Sequence, residues 1–257
     1  MKTNTYKVTV LNMGHVNVDK GGMTRGTDCG VKMRIPQQAI AVEGNGLKII
    51  LDTGVHSFEW VNANISTVDG CVLEEDESLA GALAHIGWKP EEVDYVVNTH
   101  LHYDHCGGNY LFKGCKTKFY IQKKEWDFAL APTPNQTQYY MKSLFDESAV
   151  DPEQIVLIDG EMELADGIVI FPTPGHTAGH QSVLINTEEG VVCYAGDAAN
   201  LLENLKKDII GNILFDTKQA FQAMDDIRRM SEFVICGHEP KITKYQSGGF
   251  LRVHDEM

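Results

Sequence analysis

The sequence predicts an α+β chain in which two sheets pack face to face under outer helices. Short apolar strands recur along its length, and amphipathic helical stretches are inserted between them. Several strands run directly into turns that carry His or Asp. Residues 6–13 and 39–51 read as strands, the second ending in the turn Asp52-Thr53-Gly54. Residues 78–86 read as a helix, with Ser78 or Asp76 as cap and Gly87 as stop. Glu92–Asn98 is a buried strand that delivers the chain to His100, and Lys118–Gln122 is another, followed by a helical stretch to about Ala131. Pro132–Asp146 contains two prolines and Tyr139-Tyr140-Met141; it reads as an irregular or helical insertion able to cover a cleft. Beyond it, 154–158, 168–173, 182–186 and 191–195 read as short strands. Asp216–Met230 is an amphipathic helix with Ala220, Phe221, Met224, Ile227 and Met230 at helical spacing, and Phe233–Cys236 is a last strand.

A length of 257 residues fits one domain, 1–257, and the 43% apolar fraction suits a sizeable core. Thirty-six acidic against 22 basic side chains give a formal charge of −14. That balance disfavours nucleic acid, whose binding needs Lys and Arg against phosphates, and an anionic membrane surface. No apolar run approaches a membrane span and the N-terminus lacks a signal-like stretch, so a cytoplasmic protein, monomer or homodimer, is expected. Cys29, Cys71, Cys106, Cys115, Cys193 and Cys236 are scattered and read as buried free thiols.

The chemistry is concentrated in His100, His102, Asp104 and His105, four potential metal ligands within six positions. Imidazole nitrogen and carboxylate oxygen suit zinc or a similar divalent first-row metal. Gly175-His176, Gly196-Asp197 and Gly237-His238 each follow a strand, where ligands are rigidly held. One metal is expected to take His100, His102 and His176, and a second Asp104, His105 and His238. Asp197, with two carboxylate oxygens, can bridge them. This count leaves an open position at each metal, as catalysis requires. Two such ions would make water nucleophilic and polarise an ester carbonyl, with Asp104 placed to pass a proton to the leaving alkoxide. Asp52 reads either as an acceptor orienting a ligand imidazole or as an ordinary turn residue. His180 reads as a supporting or packing histidine and Cys106 as a packing thiol. His15, His56, His85 and His254 show no partner pattern. Met13, Met23 and Met33 fill core or line an acyl pocket.

His-x-His-x-Asp-His with the downstream Gly-His, Gly-Asp and Gly-His resembles the metallo-β-lactamase-fold hydrolase superfamily, from Asp52 to His238. Within it, Thr99–Asn109 and Thr173–Ser182 are most similar to the N-acyl-homoserine lactonases and related lactone hydrolases. The resemblance implies a four-layer αβ/βα sandwich, a dinuclear site at one edge of two mixed sheets, and ligands matching the seven residues above. Position 197 is Asp, where class B β-lactamases place Cys; position 102 is His, where flavodiiron proteins place Glu. Antibiotic hydrolysis and a di-iron redox role are therefore disfavoured. Lactonases of the most similar group often carry a tyrosine three residues after the bridging aspartate, to hold the substrate carbonyl; here that residue is Asn200. Its amide, Tyr103 or an insertion tyrosine is expected to take that role, and the segment about 125–150 to act as a lid. The expected function is quorum-quenching opening of a small lactone ring, most of all an N-acyl-homoserine lactone, by two divalent ions: Zn²⁺, with Mn, Fe or Co also compatible. The alternatives are a glyoxalase II-type thioester or ester hydrolase and a non-catalytic metal-binding sensor.

Overall fold

The computed structural model describes residues 4–64, 73–75 and 77–254. The strands of the first sheet are β1 (Lys7–Asp19), β2 (Lys32–Gly44), β3 (Leu47–Leu51), β4 (Leu73–Glu75), β5 (Tyr95–Val97), β6 (Lys118–Gln122) and β7 (Ile155–Ile158), in the order β4-β1-β2-β3-β5-β6-β7. Those of the second are β8 (Met162–Ala165), β9 (Ile168–Pro172), β10 (Gln181–Thr187), β11 (Gly190–Gly196), β12 (Phe233–Cys236) and β13 (Leu251–Arg252), in the order β13-β12-β11-β10-β9-β8. Both sheets are mixed: β3, β5, β6 and β7 run parallel, as do β11 and β12, and the other pairings are antiparallel. The helices are α1 (Lys20–Met23), α2 (Phe58–Asn64), α3 (Leu79–His85), α4 (Tyr103–Cys106), α5 (Lys123–Leu130), α6 (Leu202–Lys207) and α7 (Thr217–Met230).

Strand periodicity builds the layers, because alternate side chains face opposite sides of a sheet. Ile49, Leu51 and Val97 of the first sheet meet Val183, Val192, Tyr194 and Ile235 of the second in the central core. Ile50 and Val96 point the other way, onto Leu79, Ala82 and Leu83 of α3. Cys193, Ala195, Val234 and Cys236 face outward onto Leu205 of α6 and Ala220, Met224 and Ile227 of α7. The result is the expected four-layer αβ/βα sandwich. α7 starts where Asp216 accepts the Gln219 N–H at 2.8 Å, and α3 where Ser78 accepts the Gly81 N–H at 3.1 Å. Asp76, the other cap considered, lies outside the described residues, as does Cys71.

Several expectations are corrected, among them that Phe233–Cys236 is the last strand, since β13 follows it. Residues 39–51 are two strands, split by Asn45 and Gly46, both with positive φ (54° and 80°), a two-residue hairpin turn hidden between apolar runs. The first hairpin is longer than 6–13 implies: β1 and β2 stay paired out to Asp19 and Lys32. Pro36 argues against a strand by sequence, yet it sits where β2 has only β1 beside it, since pairing with β3 begins at Ile40. Finally, Phe221 is 38% exposed and Ala223 takes the buried position on α7. Of the described cysteines, Cys106, Cys193 and Cys236 are buried free thiols, Cys115 is half-buried, and Cys29 is exposed rather than buried. No helix among the described residues is long and apolar enough to cross a membrane.

Candidate metal centre

The turns that follow β5, β9, β11 and β12 converge at one edge of the sandwich. The turn after β5 carries His100 and His102, with Asp104 and His105 on α4. His176 comes from the turn after β9, Asp197 directly follows β11, and His238 lies two residues beyond β12. A side chain at Gly237 would collide with Asp197 Oδ1, so glycine is required for the two turns to meet.

Potential ligand atoms fall into three groups whose members lie within 4.8 Å of one another: His100, His102 and His176; His100, His105 and Asp197; and Asp104, His105 and His238. Asp197 lies between the halves. Its Oδ1 is 3.3 Å from His238 Nε2 and 3.4 Å from His105 Nε2, and its Oδ2 is 3.5 Å from His176 Nε2. Asp104 Oδ2 stands 3.8 Å from His238 Nε2 and 4.0 Å from His105 Nε2.

Each imidazole gives one nitrogen to a neighbouring acceptor. His105 Nδ1–H donates to Asp52 Oδ2 at 2.8 Å, His176 Nδ1–H to the Ile213 carbonyl at 2.9 Å, and His238 Nδ1–H to the Pro36 carbonyl at 3.0 Å. His100 Nδ1–H donates to Thr99 Oγ1 at 3.0 Å, whose own proton goes to Asp52 Oδ2. His102 Nε2–H donates to Gln136 Oε1 at 3.3 Å. In the neutral form of each ring the opposite nitrogen is thereby left as a lone pair, the tautomer that a metal-binding histidine adopts. His102 Nδ1 and His176 Nε2 face each other at 3.2 Å, and His100 Nε2, His105 Nε2 and Asp197 Oδ1 are buried with no hydrogen-bond partner. Lone pairs so buried and converging fit divalent cations and fit little else.

Burial, reinforced by neighbouring imidazoles, holds His100 and His102 well below the ordinary histidine range. Burial acts in the same direction on His105 and His238 and is the largest single influence, but the carboxylates of Asp197 and Asp104, joined at His105 by Asp52, together outweigh it and raise both. Burial opposes ionisation of Asp197, yet those same two imidazoles keep its carboxyl well below the usual range. The centre is thus a neutral triad beside a strongly coupled carboxylate–imidazole group.

The structure resolves the choices left open by sequence. Asp52 is fully buried and accepts from the Thr99 N–H, the Thr99 and Tyr194 hydroxyls and His105, so it orients ligands. His180 Nε2 accepts the Asp197 N–H at 3.1 Å, and its Nδ1–H donates to Thr173 Oγ1. It holds the backbone of Asp197 and belongs to none of the ligand groups. Cys106 is buried and its thiol donates to the Leu101 carbonyl. Met13 is core, Met33 packs against it, and Met23 lines the cavity in front of the centre. His15 lies 3.5 Å from the Asn12 amide, His56 and His85 stack on Tyr110 and Tyr245, and His254 is exposed.

Two supports escaped sequence reading. Glu125 on α5 is fully buried and accepts from the Leu101 N–H, the Tyr140 and Thr177 hydroxyls and the Gly179 N–H. It therefore ties the His100–His102 turn to the His176–His180 turn. Gln136, from the 132–146 segment, accepts from His102 and donates to the His176 carbonyl at 2.7 Å. The cavity before the centre has a volume of about 250 Å³. Tyr103, Asn200, Tyr139 and Asp104 all line it, together with apolar Val16, Val18, Ile35 and Ile213.

A two-sheet sandwich with His and Asp donors gathered at its strand ends defines a metal-binding αβ/βα protein. The chain belongs to the metallo-beta-lactamase superfamily, which it matches over residues 34–238. It is 28% identical over 236 residues to an N-acyl homoserine lactonase of Bacillus cereus, covering 89% of this chain and 88% of the relative. A probable metallo-hydrolase of Methanocaldococcus jannaschii is 32% identical over 177 residues, 69% of this chain and 72% of that one. Among solved structures, a quorum-quenching N-acyl homoserine lactone lactonase superposes with a TM-score of 0.75 at 25% identity, covering 94% of this chain and 95% of the other. A B. thuringiensis AiiA structure with N-decanoyl-L-homoserine bound at the active site gives 0.77, also at 25% identity, covering 93% and 95%.

Proposed function

We propose that this protein is a dinuclear-metal-dependent lactonase that opens N-acyl-homoserine lactones or closely related lactones. The observation that carries this function is the set of buried atoms without a hydrogen-bond partner on His100, His105 and Asp197, behind a cavity of mixed polar and apolar lining that Asp197 reaches together with His102, Asp104, His176 and His238. His100, His102 and His176 would hold one ion and Asp104, His105 and His238 the other, with Asp197 shared between them. The nitrogen and oxygen donors suit zinc, and equally accommodate manganese, iron or cobalt. When bound, such ions supply Lewis acidity toward the ester carbonyl and make water nucleophilic at neutral pH.

The chain's own residues do the rest. Asn200 and Tyr103 present polar groups to the substrate carbonyl, and Tyr139 covers it from the 125–150 segment. Val16, Val18, Met23 and Ile35 offer an apolar lining to an acyl chain. Water adds to the acyl carbon and the ring C–O bond breaks. Asp104, whose side chain is 17% exposed at the cavity, takes up the proton that the water gives up and delivers it to the departing ring oxygen.

The test is a substrate panel with metal-loaded protein: N-acyl-homoserine lactones, simple lactones, S-lactoylglutathione and a phosphodiester. Preferential lactone opening is expected. Turnover of the thioester alone would replace this function with a glyoxalase II-type one, and no turnover with a metal-binding sensor.

A further inference from the structure

We infer that Gln37 recognises the amide group of an N-acylamino lactone and selects such substrates over lactones without an amide. This deepens the lactonase function proposed above and rests on it. β2 presents Met33, Ile35, Gln37, Ala39 and Ala41 on one face, by its period of two. Ile35, Ala39 and Ala41 belong to the core on the outer side of the first sheet, and Met33 packs against it. Gln37 interrupts this apolar row, although it is only 2% exposed. Its Oε1 is buried with no hydrogen-bond partner among the described residues. The residue opposite it on β1 is Gly14, so no side chain there pairs with it. The adjacent Gln38, by contrast, donates to the Cys236 carbonyl at 2.7 Å and ties the two sheets together.

A buried amide oxygen without a partner is rare enough to call for one. Gln37 lines the same cavity as His102, Asp104, Asp197 and His238. Its backbone is fixed relative to the centre because the preceding carbonyl, Pro36 O, accepts the His238 Nδ1–H. A primary carboxamide offers one acceptor and one donor, the complement of a secondary amide's N–H and C=O. In an N-acylamino lactone the amide nitrogen sits on the carbon next to the ester carbonyl. A substrate held with that carbonyl at the centre therefore brings its amide within the reach of the cavity wall, and Val16, Val18 and Ile35 lie alongside for the acyl chain.

The test compares kcat/KM of the metal-loaded protein for N-hexanoyl-homoserine lactone and for an α-alkyl-γ-butyrolactone of matched length without the amide. The wild type is expected to prefer the amide substrate. Gln37→Met is expected to lower that preference about tenfold, through KM rather than kcat. The ratio is taken within each variant, so a partly unfolded preparation cancels from it. If Gln37→Met does not fold, Gln37→Asn, which keeps the carboxamide but draws it back by one methylene, takes its place in the same comparison and is expected to lower the preference likewise. No wild-type preference, or a preference that survives Gln37→Met, overturns the inference while leaving the lactonase function intact. A wild type that opens neither lactone overturns both.

Discussion

The Asp52 carboxylate accepts the Nδ1–H of His105 at 2.8 Å, and this bond decides that Nε2 is the ring nitrogen turned toward Asp197 and Asp104. The same oxygen receives the Thr99 hydroxyl, which in turn accepts from His100. One buried carboxylate outside the ligand set thus orients an imidazole in each half of the centre.

Asp52→Asn places an amide hydrogen where acceptors are needed, among four donors. Metal affinity is expected to fall roughly 10–100-fold, the usual cost of losing such a support. Equilibrium dialysis against graded chelator, with metal content read by plasma emission, measures it. Wild-type retention would show that the imidazoles orient themselves.

Metal removal leaves His100 Nε2, His105 Nε2 and Asp197 Oδ1 buried without a hydrogen-bond partner. Ions that bind only the folded chain add about 2.7 kcal/mol per site at a hundredfold excess over Kd. For a chain of this size that corresponds to a rise in Tm of roughly 5–10 °C. Calorimetry of stripped protein titrated with zinc reads this directly, and a Tm indifferent to zinc would contradict it.

The seven candidate donors were legible because each is signalled locally: His100, His102, Asp104 and His105 by their crowding within six positions, and His176, Asp197 and His238 by a preceding glycine after an apolar strand. The far half of the first hairpin was not, since Gly14 and Pro36 break the strand pattern and only the pairing partner rescues it. Glu125 and Gln136 were invisible for a different reason. Their value lies in contacts to Leu101 and His176, 24 and 40 residues away, and no local spacing encodes those. Phe221 failed because helical spacing marks a broad stripe, while burial depends on where the strands beneath it lie.

Glu125→Ala removes the acceptor of four buried donors at once. A loss of about 3–5 kcal/mol is expected. Urea unfolding of metal-stripped protein separates this from any loss of metal. Glu125→Gln keeps one carbonyl oxygen and should lose clearly less; equal losses would mean that side-chain volume, not hydrogen bonding, holds the two turns together.

Asp104→Asn keeps the shape of the side chain but removes its capacity to carry a proton. A fall in kcat of roughly 10²–10⁴ is expected for lactone opening, with both metals still bound. Parallel metal analysis and steady-state kinetics are needed. Full turnover with both metals retained would move proton delivery to another group.

Gln136→Ala separates the two halves of the centre. Gln136 touches His102 and the backbone of His176, both in the His100–His102–His176 group, and neither His105 nor His238. Without it, His102 loses the acceptor that sets its tautomer, and the 132–146 segment loses its anchor on the His176 turn. The affinity of that group for metal should drop about 10–100-fold, while the Asp104–His105–His238 group keeps its support from Asp52 and Pro36. Titration with a competing chromophoric chelator should then resolve one tight and one weakened ion where the wild type binds two tightly. Two ions lost together would mean that Asp197 couples the groups too strongly for either to be held alone.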